Sequence, residues 1–276
     1  MKENIPNSYP VVVTGASTGI GFTTCIDLAS RGIPVYAGVR KQNDFDKWSG
    51  IEGVHPLMLD VCDAAQISAA AEQVAHEHPE GIRGLVNNAG IGMMGAMGDT
   101  AEDELLSVYR TNVVGLHSVS RLCIPHLIAS KGHLMHVGSV AGVVGLPFRG
   151  VYCSSKAAVE LLAEAQSMEL KRHGVRVSVL RPGDFKTAIN NNRLRVAEAD
   201  TVTYPGFESV CNAVNEEVAH AKEPEDMGRA VLKLLGQKRP PLYLTVAPPM
   251  QKLAIWLKRC LPPRTFEWLI ARRYPL

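Results

Sequence analysis

The sequence has no Cys-x-x-Cys pair: Cys25, Cys62, Cys123, Cys153, Cys211 and Cys260 are scattered without a repeated short spacing. That excludes a disulfide framework and a structural zinc site and points to a reducing setting. His76 and His78 have no third partner at ligand spacing, so no metal site is expected. No apolar run approaches the ~20 residues that span a bilayer. Residues 1–9 are polar and lack the apolar core of a signal peptide, so a cytoplasmic location is expected. A net charge of only +2 offers no basic surplus for nucleic acid. There is no internal repeat and no break in composition between residues 10 and 247. One folded unit over 1–247 is expected, followed by an extension over 248–276.

What is present fits a large α/β core. Apolar residues make up 46% of 276 and charged residues 20%, an ordinary balance for a folded protein. A β-branched run over 10–14 ends in Gly15-Ala16-Ser17-Thr18-Gly19-Ile20-Gly21, and 22–30 then reads as a helix. Strand, glycine turn and helix together form a phosphate cradle. Gly15 permits the turn, Gly19 lets backbone approach a phosphate, and Gly21 lets the helix pack near the strand, with helix N-terminal amides facing the anion. A second strand over 33–39 completes a βαβ unit. No acidic residue closes it to hold ribose hydroxyls; Arg40 and Lys41 suit a 2′-phosphate instead, which favours NADP(H) over NAD(H). Arg40 as a solvated loop cation is the plainer alternative.

Further strand patterns cover 53–59, 83–86, 132–137, 175–180 and 242–246, with helical spacing over 64–78, 150–173 and 224–235. Their alternation predicts one doubly wound, Rossmann-type parallel sheet with helices on both faces. Asp60 and Val61 follow the third strand; Asp60 either accepts from an adenine amino group or joins Asp63 in capping the next helix. Asn87-Asn88-Ala89-Gly90 follows the fourth, where asparagine amides can tie strand ends together and small residues leave room for a cofactor. Residues 102–130 are long enough for two helices, with Asn112 near the middle. Met93 and Met94 belong to a methionine-rich loop that either fills core or lines an adaptable apolar pocket. Residues 190–220, with Tyr204 and Phe207, read as an irregular insertion suited to a lid.

Tyr152 and Lys156 stand four apart at the start of the helical pattern over 150–173, on one helix face. An ammonium beside a phenol favours the phenolate and lowers a pKa that is ordinarily about 10. Such a pair suits proton exchange with a carbonyl or alcohol oxygen. An exposed, solvated pair is the bland alternative. Ser139 follows the fifth strand, and facing Tyr152 would give it a role.

Taken together, Thr14-Gly15-x-x-x-Gly19-Ile20-Gly21, Asn87-Asn88-Ala89-Gly90, Asn112, Ser139, Tyr152-x-x-x-Lys156 and Pro182-Gly183 resemble the short-chain dehydrogenase/reductase family over nearly the whole chain. The resemblance implies an oxidoreductase in which Tyr152 is the general acid/base, Lys156 lowers its pKa and holds the nicotinamide ribose, Ser139 binds the reacting oxygen and Asn112 positions a relay water. It also implies cofactor contacts along residues 15–21, at Asn88, Ala89 and Gly90, at Pro182 and Gly183, and from Thr187 to the carboxamide. Val35-Tyr36-Ala37-Gly38-Val39-Arg40 and Gly145-Leu146-Pro147-Phe148 are similar to the NADP-preferring 17β-hydroxysteroid and retinol dehydrogenase branch. Thr18 stands where that branch usually has a basic residue. A hydrophobic substrate is expected against Met93, Met94, Leu146, Phe148, Tyr204 and Phe207. Small aliphatic or aromatic carbonyls, or a non-catalytic NADP(H)-binding sensor or scaffold, are the alternatives.

The extension alternates Met250, Leu253, Trp256, Phe266, Trp268 and Leu269 with Lys252, Lys258, Arg259, Arg264, Arg272 and Arg273. Two short basic amphipathic helices about Pro262-Pro263 are expected. They can cover the substrate mouth, join a subunit interface, or give peripheral membrane contact through 250–273. The family resemblance further implies a homodimer or homotetramer, for which Val159, Leu162 and Met168 supply apolar surface.

Overall fold

The computed structural model describes residues 8–185, 193–196, 206–219, 221 and 223–274. Seven strands form one parallel sheet: β1 (Val11–Thr14), β2 (Val35–Val39), β3 (Val54–Met58), β4 (Gly84–Asn87), β6 (His133–Val137), β7 (Arg176–Pro182) and β9 (Tyr243–Val246). Their order is β3-β2-β1-β4-β6-β7-β9, so the winding reverses between β1 and β4. In such a sheet the crevice at the strand C-termini beside the reversal is where ligands bind.

Alternation along the strands builds two cores. Val11 and Val13 face one side with helix α1 (Gly19–Ala29) and helix α8 (Glu225–Leu235), where Cys25, Leu28, Met227, Val231 and Leu234 are buried. Val12 faces the other with α3 (Ala64–Glu77), α5 (Leu116–Ser130) and α6 (Gly150–Leu170), through Ile67, Val74, Val119, Leu127 and Ala163. Both faces are covered, which is why the strands read as continuous apolar runs.

The sequence expectations shift in four places. Residues 42–48 form α2 (Gln42–Trp48), which their Asn and Asp content conceals; Trp48 is 1% exposed and anchors it. The two helices expected over 102–130 are α4 (Glu102–Tyr109) and α5, joined without a break by a π-helical turn, Arg110–Gly115. This 29-residue run is long and apolar enough by composition to cross a bilayer, contrary to the sequence expectation. Its Leu116, Val119, Cys123 and Leu127 are buried in the protein, and 33% of its most apolar stretch is buried.

Met93 and Met94 are not in a free loop: they form β5 (Met93–Met94), paired in parallel with β8 (Leu194–Arg195). Within the insertion, α7 (Phe207–Ala219) is a regular helix that buries Phe207, Val210, Cys211, Val214 and Val218. Spacings of three and four between these residues make that face. Residues 186–192 and 197–205, with Thr187 and Tyr204, lie outside the described residues.

The extension forms α9 (Pro249–Cys260) and α10 (Pro263–Ala271), each with proline in its first turn, where a missing N–H costs nothing. Met250, Leu253 and Leu257 of α9 and Phe266, Leu269 and Ile270 of α10 line a cleft at the strand C-termini. Val159 is not interface surface: it is fully buried in α6, whereas Leu161 and Met168 are exposed. All six cysteines are free.

Candidate active site

A cleft of about 1050 Å³ runs along the strand C-termini, lined at one end by Gly15, Ser17, Thr18, Gly19 and Ile20. Gly15 and Gly19 have φ of +64° and +56°, values that side-chain-bearing residues rarely adopt. Gly21 does not line the cleft; it sits behind it, and a Cβ there would lie 2.4 Å from the Gly15 carbonyl oxygen. Close packing of α1 under the turn therefore requires glycine. Thr18 is the N-cap of α1 but makes no side-chain capping bond, which leaves first-turn amides for an anion.

Thr14, given no role from the sequence, organises the neighbouring strand end. Its hydroxyl accepts from the Asn88 and Ala89 N–H groups at 3.0 Å each, while Asn88 Nδ2 donates to the Thr14 and Gly15 carbonyls at 3.0 and 2.9 Å. Asn87 ties β4 to α5 and β6, donating to Ser120 Oγ at 2.8 Å and meeting His136 Nδ1 at 3.2 Å. Arg40, Asp60, Val61, Asn88, Ala89 and Gly90 line the cleft beside this cradle, and Pro182 and Gly183 line it at the end of β7. Lys41 does not. Asp60 Oδ1 accepts from Cys62 N–H at 2.8 Å, and Asp63 is the residue that caps α3. The glycine cradle, uncapped helix start and exposed Arg40 fit a pyrophosphate-bearing dinucleotide.

Midway along the cleft, Ser139, Tyr152 and Lys156 meet. Ser139, at the end of β6, caps a short 3-10 turn by accepting from Ala141 N–H at 3.1 Å, and its hydroxyl acts on the Tyr152 phenol. Burial holds the Tyr152 phenol above its ordinary pKa, while Ser139 and the charges of Arg149 and Arg193 pull it down. The Lys156 ammonium donates to the Val137 carbonyl at 2.8 Å and lies 6.0 Å from the centre of the Tyr152 ring. Burial lowers its own pKa to about 8, against the opposing charge of Glu160.

Glu160 continues the spacing from Tyr152 through Lys156. It is buried and paired with Arg181, whose Nε reaches the two carboxylate oxygens at 2.9 and 3.0 Å and whose guanidinium stacks 3.6 Å over Tyr243. A paired carboxylate one turn below Lys156 supports the ammonium from behind.

Asn112 does not reach the cleft. Its amide donates to Ile91 O and Ser155 Oγ, both at 3.0 Å, and accepts from Ile91 N–H at 2.8 Å. Ser155 in turn donates to the Tyr152 carbonyl at 2.8 Å. Both amide protons are thus committed, and the fully buried side chain is a strut between the β4 loop and α6.

At the other end, Met93 and Leu146 line the cleft. Met94, Phe148 and Phe207 do not: they pack behind its wall with Val210, Val214 and Tyr274, Phe148 and Phe207 meeting edge to face at 5.1 Å. Their places are taken by Met250, Leu253, Leu257, Phe266, Leu269 and Ile270 of α9 and α10, together with Arg149 and Arg193. The sequence had signalled the apolar stripe of the extension without indicating which opening it faces.

Comparison with known proteins agrees with this geometry. Residues 10–197 match the family model described as short chain dehydrogenase. The chain is 29% identical over 270 residues to 3-ketodihydrosphingosine reductase of Bacteroides thetaiotaomicron, covering 96% of this chain and 98% of that one. It is 32% identical over 261 residues to 17-beta-hydroxysteroid dehydrogenase type 1 of Homo sapiens, covering 85% and 76%. In fold it is similar to a short chain dehydrogenase/reductase from Burkholderia phymatum solved in complex with NAD, with a TM-score of 0.79, 22% identity and coverage of 91% and 92%. The chain belongs to the short-chain dehydrogenase/reductase family of oxidoreductases, whose members act between C–OH and C=O groups.

Proposed function

We propose that this protein is an NADP(H)-dependent oxidoreductase that interconverts a carbonyl and an alcohol on a hydrophobic molecule, a steroid, a retinoid or a comparable lipid. The observation that carries the reading is the position of Tyr152 and Ser139 between a phosphate cradle and an apolar chamber closed by α9 and α10. A sensor or scaffold needs the cradle alone. It does not need a tyrosine set beside a strand-end serine in the same cleft.

When bound, the nicotinamide dinucleotide supplies the hydride and its electron pair. Residues 15–20, Arg40, Asp60, Val61 and Asn88 to Gly90 would hold it, with Lys156 at the ribose. Ser139 hydrogen-bonds the substrate oxygen and Tyr152 gives that oxygen its proton, so one O–H bond breaks on the phenol as another forms on the product. The phenolate left behind is stabilised by Ser139 and the charges of Arg149 and Arg193. Oxidation runs the same transfer backward.

Support for NADP(H) is Arg40, which lines the cleft at the end of β2 with no carboxylate at that strand end. Arg40→Asp is expected to weaken NADPH binding by at least about tenfold and NADH binding much less, as measured by cofactor fluorescence titration. Equal weakening of both would remove Arg40 from the argument. A panel of steroid, retinoid and simple carbonyls, followed by NADPH fluorescence decay, tests the substrate class; turnover confined to small carbonyls contradicts the hydrophobic reading.

Trp256 and Trp268, 58% and 53% exposed beside Lys252, Arg259 and Arg272, support peripheral contact of α9 and α10 with an anionic membrane. Leu161 and Met168, seven apart on α6, support a homodimer or homotetramer in a cytoplasmic or membrane-surface setting.

A further inference from the structure

We propose that the chamber beside Tyr152 binds an oxyanion on its substrate, a carboxylate or a phosphate, between Arg149 and Arg193. The inference rests on the proposed carbonyl chemistry and names the substrate class within it: an anionic amphiphile in place of a neutral lipid.

Arg149 is the N-cap of α6, three residues before Tyr152, so both side chains leave the same side of the helix start. Arg193 comes from the opposite wall, just before β8. Both line the cleft. They stand close enough that each guanidinium acts on the other's field and on the Tyr152 phenol. Two arginines facing one partly desolvated chamber repel, and an incoming oxyanion relieves that repulsion.

The hydrogen bonding of Arg149 is incomplete in a way that fits such a ligand. One terminal nitrogen donates to the neutral Tyr274 hydroxyl at 2.5 Å, and the guanidinium lies 5.7 Å from the centre of that ring. Its Nε is buried without a hydrogen-bond partner, and an orphaned donor of a charged group is costly to leave unmet. The two described carboxylates that line this end, Asp184 and Glu217, have partners of their own. Glu217 is held by Arg273 at 2.6 Å, and Asp184 accepts from Gln251, although its charge still reaches Arg193. A guanidinium fork presents paired donors to carboxylate or phosphate.

The test uses the full chain with NADPH and three matched long-chain ketones: a keto acid, its methyl ester and the corresponding keto phosphate monoester. Wild type is expected to favour at least one anion over the ester by about tenfold or more in kcat/KM. Which anion is preferred distinguishes carboxylate from phosphate recognition. Arg149→Gln and Arg193→Gln should each collapse that ratio, and Arg149→Lys should restore part of it, which separates charge recognition from a damaged fold. Equal use of acid, phosphate and ester by wild type overturns the proposal, as does an anion preference that survives both glutamine variants together. Should no ketone turn over, calorimetric binding of dodecanoate and dodecyl phosphate against dodecanol decides the matter separately. Anion preference lost in the variants then upholds the oxyanion site while the catalytic reading fails; no preference overturns it.

Discussion

Tyr152 and Lys156 show how far one spacing carries. Their i,i+4 relation placed both on one helix face from sequence alone, and the structure seats both in the cleft with Ser139. What spacing does not reveal is which partner each takes, since that depends on the strand beneath. Lys156 turns to the Val137 carbonyl, and Asn112 spends its amide on Ile91 and Ser155. Burial of Lys156, only 4% exposed, has a measurable consequence. Its pKa of about 8 lies below the ordinary 10.5, so between those values the unfolded chain binds the extra proton. Stability contributed by this group is then fully present above pH 10.5, and it is lost as pH falls towards 8. The full span corresponds to about 3 kcal/mol. Lys156→Met is expected to flatten the rise in unfolding free energy across that window in urea titrations. An unchanged slope contradicts the assignment.

Elements were legible where periodicity was strong and the two faces differed in chemistry. The β-branched runs, the glycine turn and the long α6 pattern read directly, because the parallel strands are buried on both sides. Helix α2 was hidden by residues that prefer caps and turns, and the burial of Trp48, with Phe45 packed against the same core, holds it. The Met93–Met94 pair was ambiguous because its strand partner is a hundred residues distant in sequence, at Leu194 and Arg195. The amphipathic character of α9 and α10 was plain, but an apolar stripe does not say what it covers. Here one stripe lines the cleft while Trp256 and Trp268 point elsewhere. Replacing both tryptophans with alanine is expected to reduce cosedimentation with phosphatidylserine vesicles severalfold and leave binding to neutral vesicles weak throughout. Undiminished cosedimentation would assign the contact to another surface.

At the scale of the whole molecule, the strand order creates one crevice, and the chain delivers the cradle, the Tyr152 group and the C-terminal cover to it from distant segments. The fold class followed from the order of motifs, whereas the chamber's cationic wall did not. Arg149 and Arg193 are ordinary residues in sequence and meet only because α6 and the segment before β8 converge. Assembly is likewise a property of surfaces. Leu161→Glu with Met168→Glu is expected to lower the light-scattering mass to that of one chain, 29.9 kDa; a monomeric wild type, or a mass the variant does not change, contradicts an interface on α6. The central claim concerns the proton that Tyr152 gives, and Tyr152→Phe removes that hydroxyl while keeping the ring. Measured as kcat with NADPH on any accepted carbonyl, the variant is predicted to lose ~10²–10⁴-fold while NADPH binding persists. Turnover within a few-fold of wild type would contradict the assignment of Tyr152 as the acid.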